Sequence, residues 1–282
     1  SAFNVGNTIY KSLQPRLAAR LLLSEQMSLK VSYAMMQQYV HLLTNSNIGL
    51  PTDLWVPSTE STIPERSQQV ALGLARTIND TYEVSLEGYY RTMDNVIAYQ
   101  DGANFIDPSN TWEDKIEPGR AWAYGAELFV QKKVGEFTGW IGYTLAWTNR
   151  QFPNINFGRT FPYRYDRRHD VSIVGNYKIN DLWAVAATWV YGTGNAATLG
   201  FFTFNVPNES FYSDFNSSTQ VNHFGSRNNF RMEAYHRLDF GFTRSKQRKW
   251  GRSEWNFGAY NVYNRANPFY YRFATERDSR KG

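Results

Sequence analysis

The chain contains no cysteine, which excludes a disulfide framework and any thiolate metal site. It contains no run approaching the ~18 consecutive apolar residues of a membrane helix, and its mean hydropathy of −0.54 taken alone describes a soluble chain. No segment has convincing helical periodicity. Ser1–Gly6 reads as an interior start rather than a signal peptide, so any export signal is expected to have been removed or to lie outside these residues. No Gly-rich phosphate loop precedes a helix, and no GxSxG-like nucleophile setting is present. His41, His169, His223 and His236 are scattered, without metal-site spacing. The adjacent His169 and Asp170 could form a proton relay, but a strand-start hydrogen bond is the simpler expectation. The sequence therefore points to no enzyme, no cofactor and no metal.

Aromatic residues are plentiful, at 17% of the chain, while charged residues make up only 20%. Much of the +5 net charge sits at Arg244–Arg252 and Arg272–Lys281. The first cluster falls in a tight turn and the second at a ragged end, so nucleic acid is not an expected partner.

Connections alternate in length. Short polar turns are expected at Ser24–Gln26, Asn79–Thr81, Val134–Glu136 and Asn180–Asp181, with a longer basic one at Lys246–Arg252. Long irregular stretches are expected near 43–66, 100–120, 149–166 and 192–230. A barrel crossing an outer membrane separates its loops in this way, with short periplasmic turns and long extracellular loops.

Ten strands of period-two alternation lie between these connections. Leu17, Leu21 and Leu23 oppose Arg16 and Arg20; Val84, Leu86 and Tyr90 oppose Glu83, Glu87 and Arg91; Leu238, Phe240 and Phe242 oppose Arg237 and Asp239. The fifth strand is less clean, with Phe129 on the polar side. The tenth, from Glu254 to about Tyr263, has no clean register, and a bulge would account for this. A β-sandwich would bury the apolar face, whereas a membrane barrel would turn it to lipid. Alternation alone does not separate the two. Tyr82, Phe137, Trp183 and Trp255 each follow a short turn at matching depth, as the rings of an interfacial girdle do.

Several stretches resemble TonB-dependent outer-membrane receptors. These are Leu13-Gln14-Pro15-Arg16-Leu17, Ile63-Pro64-Glu65-Arg66-Ser67-Gln68-Gln69-Val70, Tyr124-Gly125-Ala126-Glu127-Leu128 and Gly135-Glu136-Phe137-Thr138-Gly139-Trp140. Tyr165-Asp166-Arg167-Arg168-His169-Asp170, Arg237-Leu238-Asp239 and Asn261-Val262-Tyr263-Asn264-Arg265-Ala266-Asn267-Pro268 are similar to the same family. The closest subgroup is the Bacteroidota type with a carboxypeptidase-like regulatory domain.

The resemblance implies that residues 1–282 are the C-terminal part of an all-β, antiparallel transmembrane β-barrel. About ten strands of a barrel of about 22 would be present, with the plug domain, TonB box and closing strand absent. It also implies the outer membrane of a Gram-negative bacterium as location. The function it implies is TonB-dependent active uptake of a bulky nutrient: an iron chelate, cobalamin, a glycan or a peptide. Implied partners are the rest of the receptor, the TonB complex, the lipid bilayer and a surface lipoprotein. A passive porin-like barrel and a soluble, aromatic-rich carbohydrate-binding β-sandwich are the alternatives.

Candidate ligand- or partner-facing loop residues are Trp55, Trp112, Arg120, Arg159, Tyr163, Arg164, Phe201 and Tyr212, since aromatic faces grip ligands and arginines attract anions. Glu83, Glu87, Arg91, Glu127, Arg237 and Asp239 are expected to face the lumen, in ionic ladders between strands or to a plug.

Overall fold

The computed structural model describes residues 2–44, 53–101, 103, 111–198, 200–207 and 218–269, with backbone alone over 200–207 and 218–224. Ten strands build one wall: β1 (Arg16–Ser24), β2 (Met27–Gln38), β3 (Glu65–Ile78), β4 (Tyr82–Tyr99), β5 (Ile116–Lys132), β6 (Phe137–Gln151), β7 (His169–Lys178), β8 (Trp183–Gly192), β9 (Tyr235–Arg248) and β10 (Gly251–Ala259). Their order in space is their order in sequence, and each is antiparallel to the next. The two-residue strand Phe161–Pro162 adds to the loop end of β6. Among the described residues, β1 and β10 each pair on one side only.

All the short connections lie at one end of the wall, and the long ones lie at the other. The basic turn is tighter than its sequence suggests. Here β9 runs to Arg248 and β10 starts at Gly251, which leaves Lys249 and Trp250 to turn. Pairing of β10 is regular to Ala259, and the interruption falls just beyond it. Asn261 sits at φ 53°, and the Val262 N–H returns to Leu238 O at 2.7 Å.

The long connections contain more strand than expected. Val40–Leu43 pairs with Leu54–Pro57, and Gly200–Pro207 pairs with Ser218–Phe224. Residues 116–120 belong to β5 rather than to a loop. An N-terminal hairpin, Ala2–Val5 with Thr8–Lys11, has no counterpart in the sequence reading.

Register across the wall keeps the faces separate. Val70, Tyr90 and Tyr124 align on one face, as do Leu72 with Leu74, Leu86 and Leu128 close by. Trp189 stands opposite both Ile173 and Leu238 on that face. On the other face, Phe129 meets Trp140 with ring centroids 5.9 Å apart, so the odd aromatic of β5 has a partner.

The apolar face is uncovered. Leu72 is 54% exposed, Leu86 52% and Tyr90 53%, in the middle of their strands. No second sheet lies over them among the described residues, which removes the β-sandwich alternative. Each Å² of apolar surface left in water forgoes roughly 25 cal/mol, and a patch this continuous marks an apolar environment. Tyr82, Phe137, Trp183 and Trp255 all lie on this face beside the turns.

Apart from Ala71 in β3, the buried apolar residues lie instead at the loop end of the wall and in the crown of long connections. Val96, Ala98, Ala121, Phe152, Ile155 and Phe161 form one cluster. Leu43, Val56 and Ile97 form another, flanked by Tyr99, Trp112 and Ile116. A bulge separates the two: Asn95, at φ 62°, is the extra residue between Asp94 and Val96. It reverses the facing of the strand end, so Val96 joins the side of Ala121 and Ile97 the other.

Gly139 meets Gly175 across β6 and β7. A Cβ on Gly139 would lie 2.2 Å from Val174 O, so the two strands approach only because that atom is missing.

Candidate functional site

Two surfaces can do chemistry: the polar face of the wall and the crown. On the polar face, β4 presents Glu83, Glu87 and Arg91, because odd positions of β4 ahead of its bulge face that way. Glu83 is salt-bridged to Lys133. Glu87 stands directly opposite Glu127 of β5 and also opposite Gly73 of β3. Its carboxylate leans over that glycine, where a Cβ would come within 3.2 Å of Oε2. Like charges directly opposed repel, so this pair suits a cationic partner.

Arg91 does not join those carboxylates. Its Nη2 donates to Ser67 Oγ at 3.3 Å, and its buried Nε has no partner. Among the described residues no ion pair joins Glu87, Glu127 and Arg91 to one another. Arg237 and Asp239 do pair, with Nε 3.0 Å from Oδ2. Arg237 also donates to the Tyr235 and Tyr260 hydroxyls, and Asp239 Oδ1 accepts the Asn261 N–H at 2.9 Å.

Three polar hubs stand out among the described residues of the crown. Asp166, with its side chain 1% exposed, is the tightest. It accepts from Arg231 Nη2 at 2.6 Å, Arg168 Nη2 at 3.2 Å and the Thr148 N–H at 2.6 Å. Arg168 also lies over the Trp147 ring, 4.7 Å from its centroid.

Arg227 is the second hub. Its Nη1 donates to Tyr99 O at 3.0 Å and Asp101 Oδ1 at 3.1 Å, while its N–H donates to Asn156 Oδ1 at 2.8 Å. Burial pulls its pKa down, with Asp101 opposing. Asn156, at φ 56°, returns its own N–H to Asp101 Oδ2 at 2.9 Å.

The third hub joins Tyr163, Tyr165, Asp53 and Arg150. The Arg150 guanidinium lies 3.8 Å from the Tyr163 ring centroid, a close cation–π contact. Tyr165 donates its hydroxyl to the Asp53 carboxylate. Burial and that hydrogen bond push the Tyr165 phenol up to about 12. Burial also raises Tyr163. Beside this hub a cleft of about 360 Å³ is lined by Arg164, Tyr165, Arg167, Asn195 and Tyr235, among others.

The loop candidates are dispersed by this arrangement. Arg164 lines the cleft, whereas Tyr163 beside it in sequence lies against Arg150. Trp55 stands apart on the small hairpin, 63% exposed. Trp112 is packed on the Leu43–Val56–Ile97 cluster, where it supports the loops. Arg120 is in β5, on the apolar face between Asp94 and Gln151, so it does not converge with the other arginines. Arg159 is exposed and caps the Asn156 turn through its backbone. The backbone of Phe201 runs in the Gly200–Pro207 strand; its side chain and all of Tyr212 lie outside the described residues.

His169 and Asp170 point to opposite faces of β7. His169 Nδ1 meets Tyr143 OH at 2.9 Å, and Asp170 meets Arg167, so they form no relay. Arg150, Asp166 and Arg227 escape sequence reasoning. Asp166 carries a faint signal, an acid followed by two arginines in a loop. Arg227 has none, because Asp101 is 126 residues away.

A sequential antiparallel meander with a bare apolar face, turns at one end and a packed crown at the other is the architecture of an outer-membrane β-barrel wall. The sequence matches no protein-family model, and no curated protein matches it. Solved structures of outer-membrane receptors and transporters share its fold. The ferripyoverdine receptor FpvA of Pseudomonas aeruginosa superposes with a TM-score of 0.57 at 15% identity, covering 92% of this chain and 30% of FpvA. The FrpB iron transporter of Neisseria meningitidis gives 0.57 at 12% identity, covering 91% of this chain and 36% of FrpB. The ferric-catecholate import receptor Fiu of E. coli gives 0.54 at 14% identity, with 89% and 30% coverage. The chain thus spans about a third of the length of each.

Proposed function

We propose that this chain is the C-terminal part of the barrel of a TonB-dependent receptor in a Gram-negative outer membrane, active in importing an iron chelate. The observation that carries the proposal is the wall itself: ten sequential strands with an apolar face left open, on the fold of three iron-uptake receptors. The structures it resembles are receptors and transporters, which favours active uptake over a passive pore. The quoted motifs favour the Bacteroidota type with a regulatory domain.

In this reading the crown captures ligand, and Arg164 and Arg167 at the cleft give it a preference for anionic chelates. The polar face lines the lumen, where the opposed Glu87 and Glu127 receive cationic side chains of a plug. The inner-membrane TonB complex would pull on that plug, so uptake requires the proton gradient. Wall and crown supply binding and support, and no bond is made or broken by this chain.

The test is uptake of radiolabelled iron by iron-starved cells with and without the receptor, offered a panel of ferric catecholates, hydroxamates and citrate. At least one chelate should enter only when the receptor is present, and a protonophore should abolish its entry. Receptor-dependent entry that persists with the protonophore would mean a passive pore. No dependence for any chelate would direct the search to cobalamin, glycans or peptides.

A further inference from the structure

The charges on the apolar face differ between its two ends. At the loop end Asp94 stands between Arg66 and Arg120, so these three carry a net charge of only +1. At the turn end the register puts Arg76, Lys132, Arg244, Lys246 and Arg248 on this face. Among the described residues, no strand acid shares that face at that end. Two acids of this hairpin and the turn beside it are engaged elsewhere: Glu254 faces the polar side with Arg252 and Ser245, and Asp181 is held by Lys178 at 2.6 Å.

The basic residues concentrate on the β9–β10 hairpin. Arg244 pairs with Trp183 on one side and Trp255 on the other, its guanidinium 5.5 Å from the Trp183 ring. Lys246 and Arg248 follow at two-residue steps, about 7 Å apart along a strand, and Trp250 ends the row 83% exposed. Immediately toward mid-strand lie Phe240 and the stacked rings of Phe242 and Phe257, 5.1 Å apart. A row of unopposed cations thus borders an open apolar surface at the level of an aromatic girdle.

We propose that this hairpin is a binding site for an anionic glycerophospholipid of the leaflet on the turn side. Its phosphate would lie among Arg244, Lys246 and Arg248, and its acyl chains over Phe240, Phe242 and Phe257. Charge complementarity selects the headgroup, and continuity with the apolar face selects a lipid over a free anion. A basic side chain at an anionic membrane surface contributes roughly fivefold in affinity, about 1 kcal/mol. The proposal rests on the wall standing in a bilayer.

Native mass spectrometry of the intact, delipidated receptor titrated with phosphatidylglycerol and phosphatidylcholine tests it. The wild type should retain phosphatidylglycerol in preference. Replacing the three cations (R244Q, K246Q and R248Q together) should weaken that binding roughly a hundredfold, and K246Q alone about fivefold. Arg252→Gln, equally basic but on the polar face, should change nothing, and millimolar inorganic phosphate should not compete. If the triple variant does not fold, K246Q against R252Q decides. Equal retention of both lipids, equal loss in R252Q, or displacement by phosphate would overturn the site. Failure of the wild type to insert into vesicles would instead overturn the membrane reading itself.

Discussion

Replacing Leu86 by arginine tests which solvent the apolar face meets. Leu86 is central in the outward row of β4 that runs from Tyr82 to Tyr90, with Leu74 and Leu128 opposite it on the flanking strands. From Tyr82 it is four residues, about 13 Å along the strand at ~3.3 Å per residue. At the ~40° tilt of barrel strands this is about 10 Å of depth, close to the middle of a ~25 Å apolar band. An arginine there should cost about 2–4 kcal/mol, roughly a 30-fold to 1000-fold shift toward the unfolded state. Tyr82→Arg, at the girdle, should cost no more than about 1 kcal/mol. Ser85→Arg, on the polar face beside Leu86, should be close to neutral. The assay is urea-dependent folding of the intact receptor into phosphatidylcholine vesicles, read by protease resistance. A water-facing sheet with Leu86 already 52% exposed would tolerate or welcome the charge. Neutrality of L86R, or equal penalties for L86R and S85R, would refute the assignment of the faces.

Other outcomes follow from the crown and the close strand approach. Asp166→Asn leaves Arg168 and Arg231 without their shared carboxylate, and with both arginines about a third exposed the loss should be about 2 kcal/mol. It should appear as faster proteolytic nicking near 225–234. Gly139→Ala drives a Cβ into Val174 O and should cost about 1–3 kcal/mol, seen as a lower urea midpoint. His41 lies in the small crown hairpin, with Nε2 3.0 Å from Ser58 Oγ and Nδ1 unpartnered. Burial holds its pKa below the ordinary 6.5. The unfolded segment therefore takes up a proton first as pH falls through about 6.5. Stability contributed by neutral His41 is present above that pH and lost below it, so hairpin amides should exchange faster at pH 5.5 than at 7.5 after correction for intrinsic rates. His41→Gln should remove the difference. Arg164→Ala should weaken binding of an anionic ferric chelate about tenfold, measured by fluorescence quenching, and leave a neutral ligand unaffected.

Strand number and facing were legible because a period of two is a local property. Each of Val84, Leu86 and Tyr90 lies two or four residues from the next, and no distant contact is needed to see the pattern. Strand ends were less legible. The extension of β5 down to Ile116 depends on pairing with Ile97 and Tyr99 beyond a bulge, and nothing in Ile116–Arg120 itself reports that. The basic turn was read too long because Lys246 and Arg248 look like turn residues, whereas pairing with Ser253 and Gly251 keeps them in strand.

The candidate site was the least legible part. Aromatic composition points to Trp112, which the fold uses as packing. The hubs that order the crown join residues far apart in sequence: Arg227 to Asp101, Arg231 to Asp166 and Tyr165 to Asp53. Their geometry is fixed only when neighbouring strands bring the loops together.

By itself the sequence determined the ten strands, the alternation of connection lengths and the separation of faces, because backbone geometry converts local order directly into side-chain direction. Only the tertiary structure decided that the apolar face has no cover, that the buried core lies in the crown, and that a row of cations borders the apolar surface. Those are properties of surfaces assembled from several strands, and register between strands, not order within one, creates them.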